Sequence, residues 1–110
     1  GMNNLINCKI IIYLFDSVIT SCAAAILYRK TSTQIAKMDE NRFNKQFGGK
    51  QRIIMIQKHI SEMSNGAILY CVTSKMNINT LQAIMKRLGL LKYFQGPIPK
   101  ELIEKLNELN

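Results

Sequence analysis

The sequence is poor in the residues that build structural metal sites and disulfide frameworks. Its three cysteines, Cys8, Cys22 and Cys71, are widely spaced without a Cys-x-x-Cys motif, and its single histidine is His59. A structural zinc site needs four such ligands at short spacings, and a disulfide framework needs an even number of cysteines. The pattern argues against both and predicts reduced, mostly buried thiols, which are typical of a cytoplasmic protein.

Proline, glycine and acidic residues are also scarce. Only 2 prolines and 6 glycines occur in 110 residues, which excludes collagen-like and low-complexity chains. The 7 acidic residues face 15 basic ones, and the net charge is +8. Such an excess favours an anionic partner, and the charge alone does not choose among phosphorylated small molecules, nucleic acid and a membrane surface. Because the basic residues are dispersed and no basic motif is interleaved with aromatics, we expect no specific binding of nucleic acid.

An apolar run near the start of the chain is long enough to resemble a membrane span. Residues 10–28 carry one charge, Asp16, which costs about 2.5–3.5 kcal/mol near the centre of an inserted helix. Lys9–Phe15 is short, continuous and rich in β-branched residues, a pattern typical of a strand buried on both faces. We therefore predict a strand, a helix over Ser21–Arg29 and no membrane segment.

The rest of the chain alternates between helical and strand patterns. Gln51–Met63 has apolar residues at helical spacing, and Ala67–Val72 is a second buried-strand run. A helix capped by Asn77 or Asn79 follows, with its apolar face beginning at Ile78, and Gly89 ends it. Leu90–Phe94 is interpreted as a short third strand, and a last helix follows Pro99.

This alternation predicts an α/β fold with a parallel sheet and right-handed crossovers. We interpret residues 2–110 as one domain, with Gly1 as a remnant of tag removal and with residues 21–50 as a helical or flap insertion after the first strand.

Two polar clusters follow the two predicted strands. They are Asp16, Ser17 and Thr20 after the first strand, and Thr73, Ser74 and Lys75 after the second. In a parallel sheet the carboxyl ends of the strands form the ligand-binding edge. An aspartate there serves as a nucleophile or a magnesium ligand, and hydroxyl and ammonium groups hold phosphate oxygens. The joint placement indicates phosphoryl chemistry, although each residue type alone is also common as a helix or turn cap.

The same residues resemble a known family. Asp16-Ser17-Val18-Ile19-Thr20 is similar to the first motif, D-x-D-x-T, of haloacid dehalogenase-like phosphatases, and Leu69–Phe94 is similar to their second motif region. The resemblance implies a three-layer Rossmann-like core. It also implies that Asp16 is the nucleophile, with Thr20 in the same motif. The phosphoryl group would be bound by Thr73 and Ser74 and steadied by Lys100.

The chain departs from this family pattern at two places. Val18 occupies the position of the family's general acid/base, so only its main-chain carbonyl is left to hold magnesium together with Asp16. The acidic fourth motif is missing, which implies a core that is incomplete on its C-terminal side. We therefore interpret the chain as a degenerate or truncated member with impaired magnesium-dependent phosphatase chemistry. The alternative is a non-catalytic interaction module on the same scaffold.

The missing fourth motif has a consequence for assembly. In the family its strand lies beside the first strand, so Lys9–Phe15 is expected to have one unpaired edge. An uncovered apolar edge is a template for pairing with another chain. We expect a second copy to cover it, antiparallel in a two-fold dimer. The alternative cover is the C-terminal helix or a different protein.

Overall fold

The computed structural model describes residues 9–19, 24–73, 75–96 and 100–108 and shows an α/β chain built around two parallel strands. Strand β1, Lys9–Leu14, pairs with strand β2, Ala67–Val72. The register runs from Lys9 opposite Ala67 to Leu14 opposite Val72. Both apolar runs therefore form strands as predicted, and their carboxyl ends lie side by side.

The predicted third strand is wrong. Leu91–Tyr93 is one turn of 3-10 helix, and Phe94 makes a single parallel bridge to Leu69. The amides of Tyr93 and Phe94 donate to the local carbonyls of Leu90 and Leu91, at 3.0 and 3.2 Å, and are not available to a neighbouring strand. Among the described residues, β2 thus has one full neighbour, β1, and a single bridge on its other side.

Two short helices occupy the predicted insertion. Helix α1 is Ser32–Lys37, capped by Thr31, and helix α2 is Glu40–Lys45, capped by Asp39. Before them, where a longer helix over Ser21–Arg29 was expected, the described residues form a 3-10 turn over Ala24–Leu27. The described part of the segment that we interpret as an insertion is therefore helical in short pieces.

The three longer helices lie close to their predicted positions. Helix α3 is Lys50–Ser64, helix α4 is Ile78–Arg87, and helix α5 is Lys100–Glu108. Asn77 caps α4, and its side chain accepts a hydrogen bond from the amide of Thr80. None of the described helices is long and apolar enough to cross a membrane.

The insertion is fastened to α4 by two side chains. The hydroxyl of Thr80 donates to the carbonyl of Lys30 at 2.6 Å, and Arg87 Nη1 donates to the carbonyl of Ile35 at 2.6 Å. The guanidinium of Arg87 also lies 4.4 Å from the ring centroid of Phe43. Arg87 therefore holds α1 and α2 against α4.

The buried core lies on one face of the sheet. Odd-numbered strand residues, such as Tyr13 and Leu69, belong to the core cluster. Successive side chains of a strand point to opposite faces, and the even-numbered strand residues are absent from that cluster. Ile10 and Leu14 are 45% and 53% exposed, so the expectation that β1 is buried on both faces is wrong. On the same face Tyr70 of β2 is buried, so the exposed part of this face lies at the two ends of β1.

Candidate functional site

Asp16 and Thr73 meet at the carboxyl ends of the two strands. Asp16 lies in the turn of π-helix Phe15–Ile19 that directly follows β1, and Thr73 is the first residue after β2. The hydroxyl of Thr73 donates a hydrogen bond to Asp16 Oδ2 at 2.8 Å. The parallel register of Leu14 with Val72 places the two side chains on the same edge. The structure thus brings together two residues that are 57 positions apart in sequence.

The Thr73 hydroxyl is fixed by a second hydrogen bond. It accepts from the amide of Lys75 at 3.1 Å. A hydroxyl has one hydrogen to donate and lone pairs to accept with. Because the amide engages a lone pair, the hydrogen remains available for Asp16. The Thr73 hydroxyl is therefore already oriented to donate its hydrogen to the Asp16 carboxylate.

Tyr28 is a member of the site that the sequence did not indicate. Burial raises the pKa of the Tyr28 phenol, and the negative charge of Asp16 and a hydrogen bond to Asp16 raise it further. The ammonium of Lys75 lies 5.7 Å from the centroid of the Tyr28 ring. Tyr28 directly follows the 3-10 turn Ala24–Leu27 and not a strand, so the strand-end pattern does not predict it. Two hydroxyls therefore contact one carboxylate, with a lysine beside them.

The turn that carries Asp16 is positioned by α3 and by an aromatic cluster. Arg52 Nη1 donates to the carbonyls of Ile19 and Phe47, at 2.8 and 2.9 Å. Phe15 is fully buried, and its ring centroid lies 6.3 Å from the ring centroid of Phe47. One end of the turn is thus packed into the core, and the other is held by a charged donor.

Several predicted site residues cannot be placed. Thr20 and Ser74 lie outside the described residues. Val18 lies in the π-helical turn and Lys100 begins α5, but their side chains are outside the described part of the structure. Within the described residues, no group of three or more His, Cys, Asp or Glu side chains is placed to hold a metal ion. The described site therefore consists of Asp16, Thr73 and Tyr28, with Lys75 beside them.

Cys71 lies in β2, two residues before Thr73, and its thiol is expected to be unreactive. Burial, and after it the negative charge of Asp16, raise the pKa of this thiol from 9.0 to about 12. At pH 8 the thiolate fraction of Cys71 is therefore lower in the folded than in the unfolded chain by roughly 10³-fold. Alkylation of Cys71 by iodoacetamide at pH 8, followed by peptide mass mapping, should be slower in buffer than in urea by a similar factor.

The raised pKa also sets the direction of a pH effect on stability. Well below pH 9 the thiol is almost wholly protonated in both states, so its contribution to stability is fully present. As pH rises from about 9 to 12, the unfolded chain loses this proton first, and the contribution is lost. Equal labelling of Cys71 in buffer and in urea would contradict the buried position of the thiol.

Comparison of the chain with protein-family models, with curated proteins and with solved structures gives no match. The chemistry of the site is therefore judged from its geometry. A carboxylate with two hydroxyl partners at the ligand-binding edge of a parallel sheet is suited to attack on, or recognition of, an electrophilic group such as a phosphoryl group.

Proposed function

We propose that this chain is a phosphatase-type domain of the haloacid dehalogenase-like kind, with impaired activity, in which Asp16 is the nucleophile. The observation that carries this proposal is the 2.8 Å hydrogen bond from the Thr73 hydroxyl to the Asp16 carboxylate at the joined strand ends. The finer fold, a three-layer Rossmann-like core incomplete on its C-terminal side, belongs to the same proposal and is supported by the exposure of Ile10 and Leu14 on β1.

In the proposed reaction, a carboxylate oxygen of Asp16 attacks the phosphorus of a phosphate monoester. The new O–P bond forms as the P–O bond to the leaving group breaks, and the bonding pair departs with the leaving oxygen. Water then hydrolyses the aspartyl phosphate. One of its hydrogens stays on the released phosphate, and the other passes to solvent, which protonates the leaving group. Thr73, Ser74 and Lys100 would hold the phosphoryl oxygens.

Val18 limits this chemistry. Its side chain has no ionisable group, and loss of a positioned general acid or base costs about 10²–10⁴-fold in rate. The leaving group must therefore depart without a proton, which favours phenols over aliphatic alcohols. We expect turnover to be slow and to depend steeply on the acidity of the leaving group.

Magnesium fits the residues present only with help from the substrate. Mg²⁺ is commonly held by one or two carboxylates together with waters and substrate phosphates. Asp16 and the main-chain carbonyl of Val18 would hold it, and the described residues offer no richer carboxylate cluster. When bound, the ion supplies positive charge that offsets the charge of the phosphate.

A leaving-group series tests this proposal. Phosphate release should be measured with and without magnesium from p-nitrophenyl, phenyl and benzyl phosphate. We expect magnesium-dependent release that falls from the first substrate to the last, because no acid protonates the leaving oxygen. No release above the uncatalysed rate from any of the three would contradict phosphatase chemistry.

The second candidate function is a non-catalytic interaction module, and it is favoured by the state of β1. Among the described residues β1 pairs only with β2, and Ile10 and Leu14 are largely exposed. Pairing β1 with itself in a two-fold antiparallel arrangement over Lys9–Leu14 places Lys9 opposite the second copy's Leu14. The two lysines are then about 17 Å apart, beyond the roughly 8 Å screening length at physiological salt. We propose a homodimer joined at this edge.

Leu14→Lys should dissociate this dimer, because it places an ammonium directly opposite the second copy's Lys9. Light scattering should change from twice 12.6 kDa to 12.6 kDa. Ile54→Lys is the matched control, since Ile54 is 46% exposed on α3 and lies away from the edge. A wild-type chain that is monomeric at micromolar concentration would overturn the dimer.

A further inference from the structure

A cleft opens beside the Asp16–Thr73 pair. It lies between the end of β2, helix α4 and the segment that follows α4, and its volume is about 600 Å³. Small-molecule sites commonly have volumes of about 300–1,000 Å³. Thr73 lines the edge of the cleft and at the same time bonds to Asp16. A molecule seated in the cleft therefore contacts a residue that is itself hydrogen-bonded to the Asp16 carboxylate.

The lining of the cleft is mainly apolar, with Thr73, Gln82 and Gln95 as its polar side chains, although the chain is strongly charged. Helix α4 contributes Ile78, Leu81 and Met85, and Phe94 closes the far side. None of the described residues that line the cleft is charged, in a chain whose net charge is +8. Burial of an ionised group without a partner is unfavourable. The cleft thus suits an uncharged apolar group rather than the phosphate itself.

Part of this apolar lining is exposed to water. Ile78, Leu91 and Ile103 are 53%, 38% and 46% exposed, and they come from three different segments that converge on the cleft. Removing such surface from water favours binding of an apolar group. Met76 and Met85 also line the cleft, and flexible thioether side chains adjust to the shape of a guest.

We propose that the cleft binds the leaving group of the substrate, and that the substrates are phosphate monoesters of apolar phenols. This inference rests on the proposed function and names its substrate class. Two separate features agree on it. Val18 favours a leaving group that departs without a proton. The charge-free cleft favours one whose ring is apolar and whose charged oxygen stays outside the apolar lining. A phenol satisfies both, whereas a sugar or an aliphatic alcohol does not.

Binding of inert analogues tests the inference without turnover. The probes are 2-naphthylmethylphosphonate, whose P–C bond resists hydrolysis, methylphosphonate, and 2-naphthylmethanol. Affinities are measured by calorimetry with magnesium present. The variants are Ile78→Ser and Ile103→Ser, and Ile54→Ser on α3 is the control because Ile54 is similarly exposed but does not line the cleft. Circular dichroism checks that each variant is folded.

We expect the naphthyl phosphonate to bind at least tenfold more tightly than methylphosphonate. Ile78→Ser and Ile103→Ser should each lower the ratio of the two phosphonate affinities at least threefold, and Ile54→Ser should leave this ratio unchanged. Equal affinity for the two phosphonates would overturn the cleft assignment while leaving the phosphoryl site standing. Binding of 2-naphthylmethanol alone, equal in strength to the naphthyl phosphonate, would support the cleft and overturn the proposed function. Absence of binding by all three probes would overturn both.

Discussion

Replacing Asp16 by asparagine should abolish the magnesium-dependent release of phosphate and leave only the uncatalysed rate. A neutral amide oxygen is a far weaker nucleophile than a carboxylate, so no aspartyl phosphate forms. The amide carbonyl still accepts the hydrogen bond from the Thr73 hydroxyl, which preserves the contact between the strand ends. The loss should therefore appear in the rate constant and not in the fold, as measured by phosphate release and circular dichroism.

Asp39→Asn is the matched control for this substitution. Asp39 caps α2, and its carboxylate accepts from the amide of Arg42 at 3.1 Å. Asparagine caps helices about as well as aspartate, so this variant makes the same chemical change without touching the site. It should retain full activity. An Asp16→Asn protein that releases phosphate as fast as the wild type would exclude Asp16 as the nucleophile.

Replacing Phe47 by alanine should lower the free energy of unfolding by about 3–5 kcal/mol, the usual cost of deleting a buried phenylalanine ring. Phe47 is fully buried, and the centroid of its ring lies 5.0 Å from the ring centroid of Phe43 and 6.3 Å from that of Phe15. Because domains unfold with a total free energy of only about 5–15 kcal/mol, this loss is a large fraction of the total. Urea unfolding followed by circular dichroism measures it.

The substitution should also loosen the site, since Phe15 directly precedes Asp16 and packs on the ring that is removed. Met55→Ala serves as the comparison, because Met55 is 67% exposed on α3 and its loss should change stability by less than about 0.5 kcal/mol. Similar unfolding curves for the Phe47→Ala and Met55→Ala proteins would show that the insertion does not anchor the Asp16 turn.

The parts of the fold that the sequence predicted are those with a continuous local signal. β1 and β2 were evident as short apolar runs, and α3 was evident from the spacing of Ile53 and Ile60. The meeting of Asp16 with Thr73 followed from one general rule, that parallel strands end at a common edge. Residues far apart in sequence could be placed together because the rule does not depend on intervening segments.

The parts that could not be predicted depend on tertiary packing. Residues 31–50 are polar on average, yet three of their apolar residues, Ile35, Phe43 and Phe47, are buried in the core. Their spacing across short helices gives no sustained helical period. Tyr28 reaches the site because of the path that the backbone takes after the 3-10 turn, and no sequence motif predicts this path. Whether β1 is covered on one face or two is decided by how many helices pack on the sheet.

The third strand failed for a related reason. Leu90–Phe94 has the composition of a strand, but it follows directly after Gly89, whose φ of +74° ends α4. The chain is then still close to the end of the helix, and its amides bond to local carbonyls before Phe94 reaches Leu69. Turn geometry therefore overrides strand propensity at this position.

Crystals soaked with magnesium and beryllofluoride, a mimic of a phosphoryl group on a carboxylate, test most directly the claim that Asp16 accepts a phosphoryl group at the joined ends of β1 and β2. We predict electron density for the fluoride complex bonded to a carboxylate oxygen of Asp16 and within hydrogen-bonding distance of the Thr73 hydroxyl. Well-diffracting soaked crystals with no density at Asp16, and with its hydrogen bond to Thr73 unchanged, would contradict the claim.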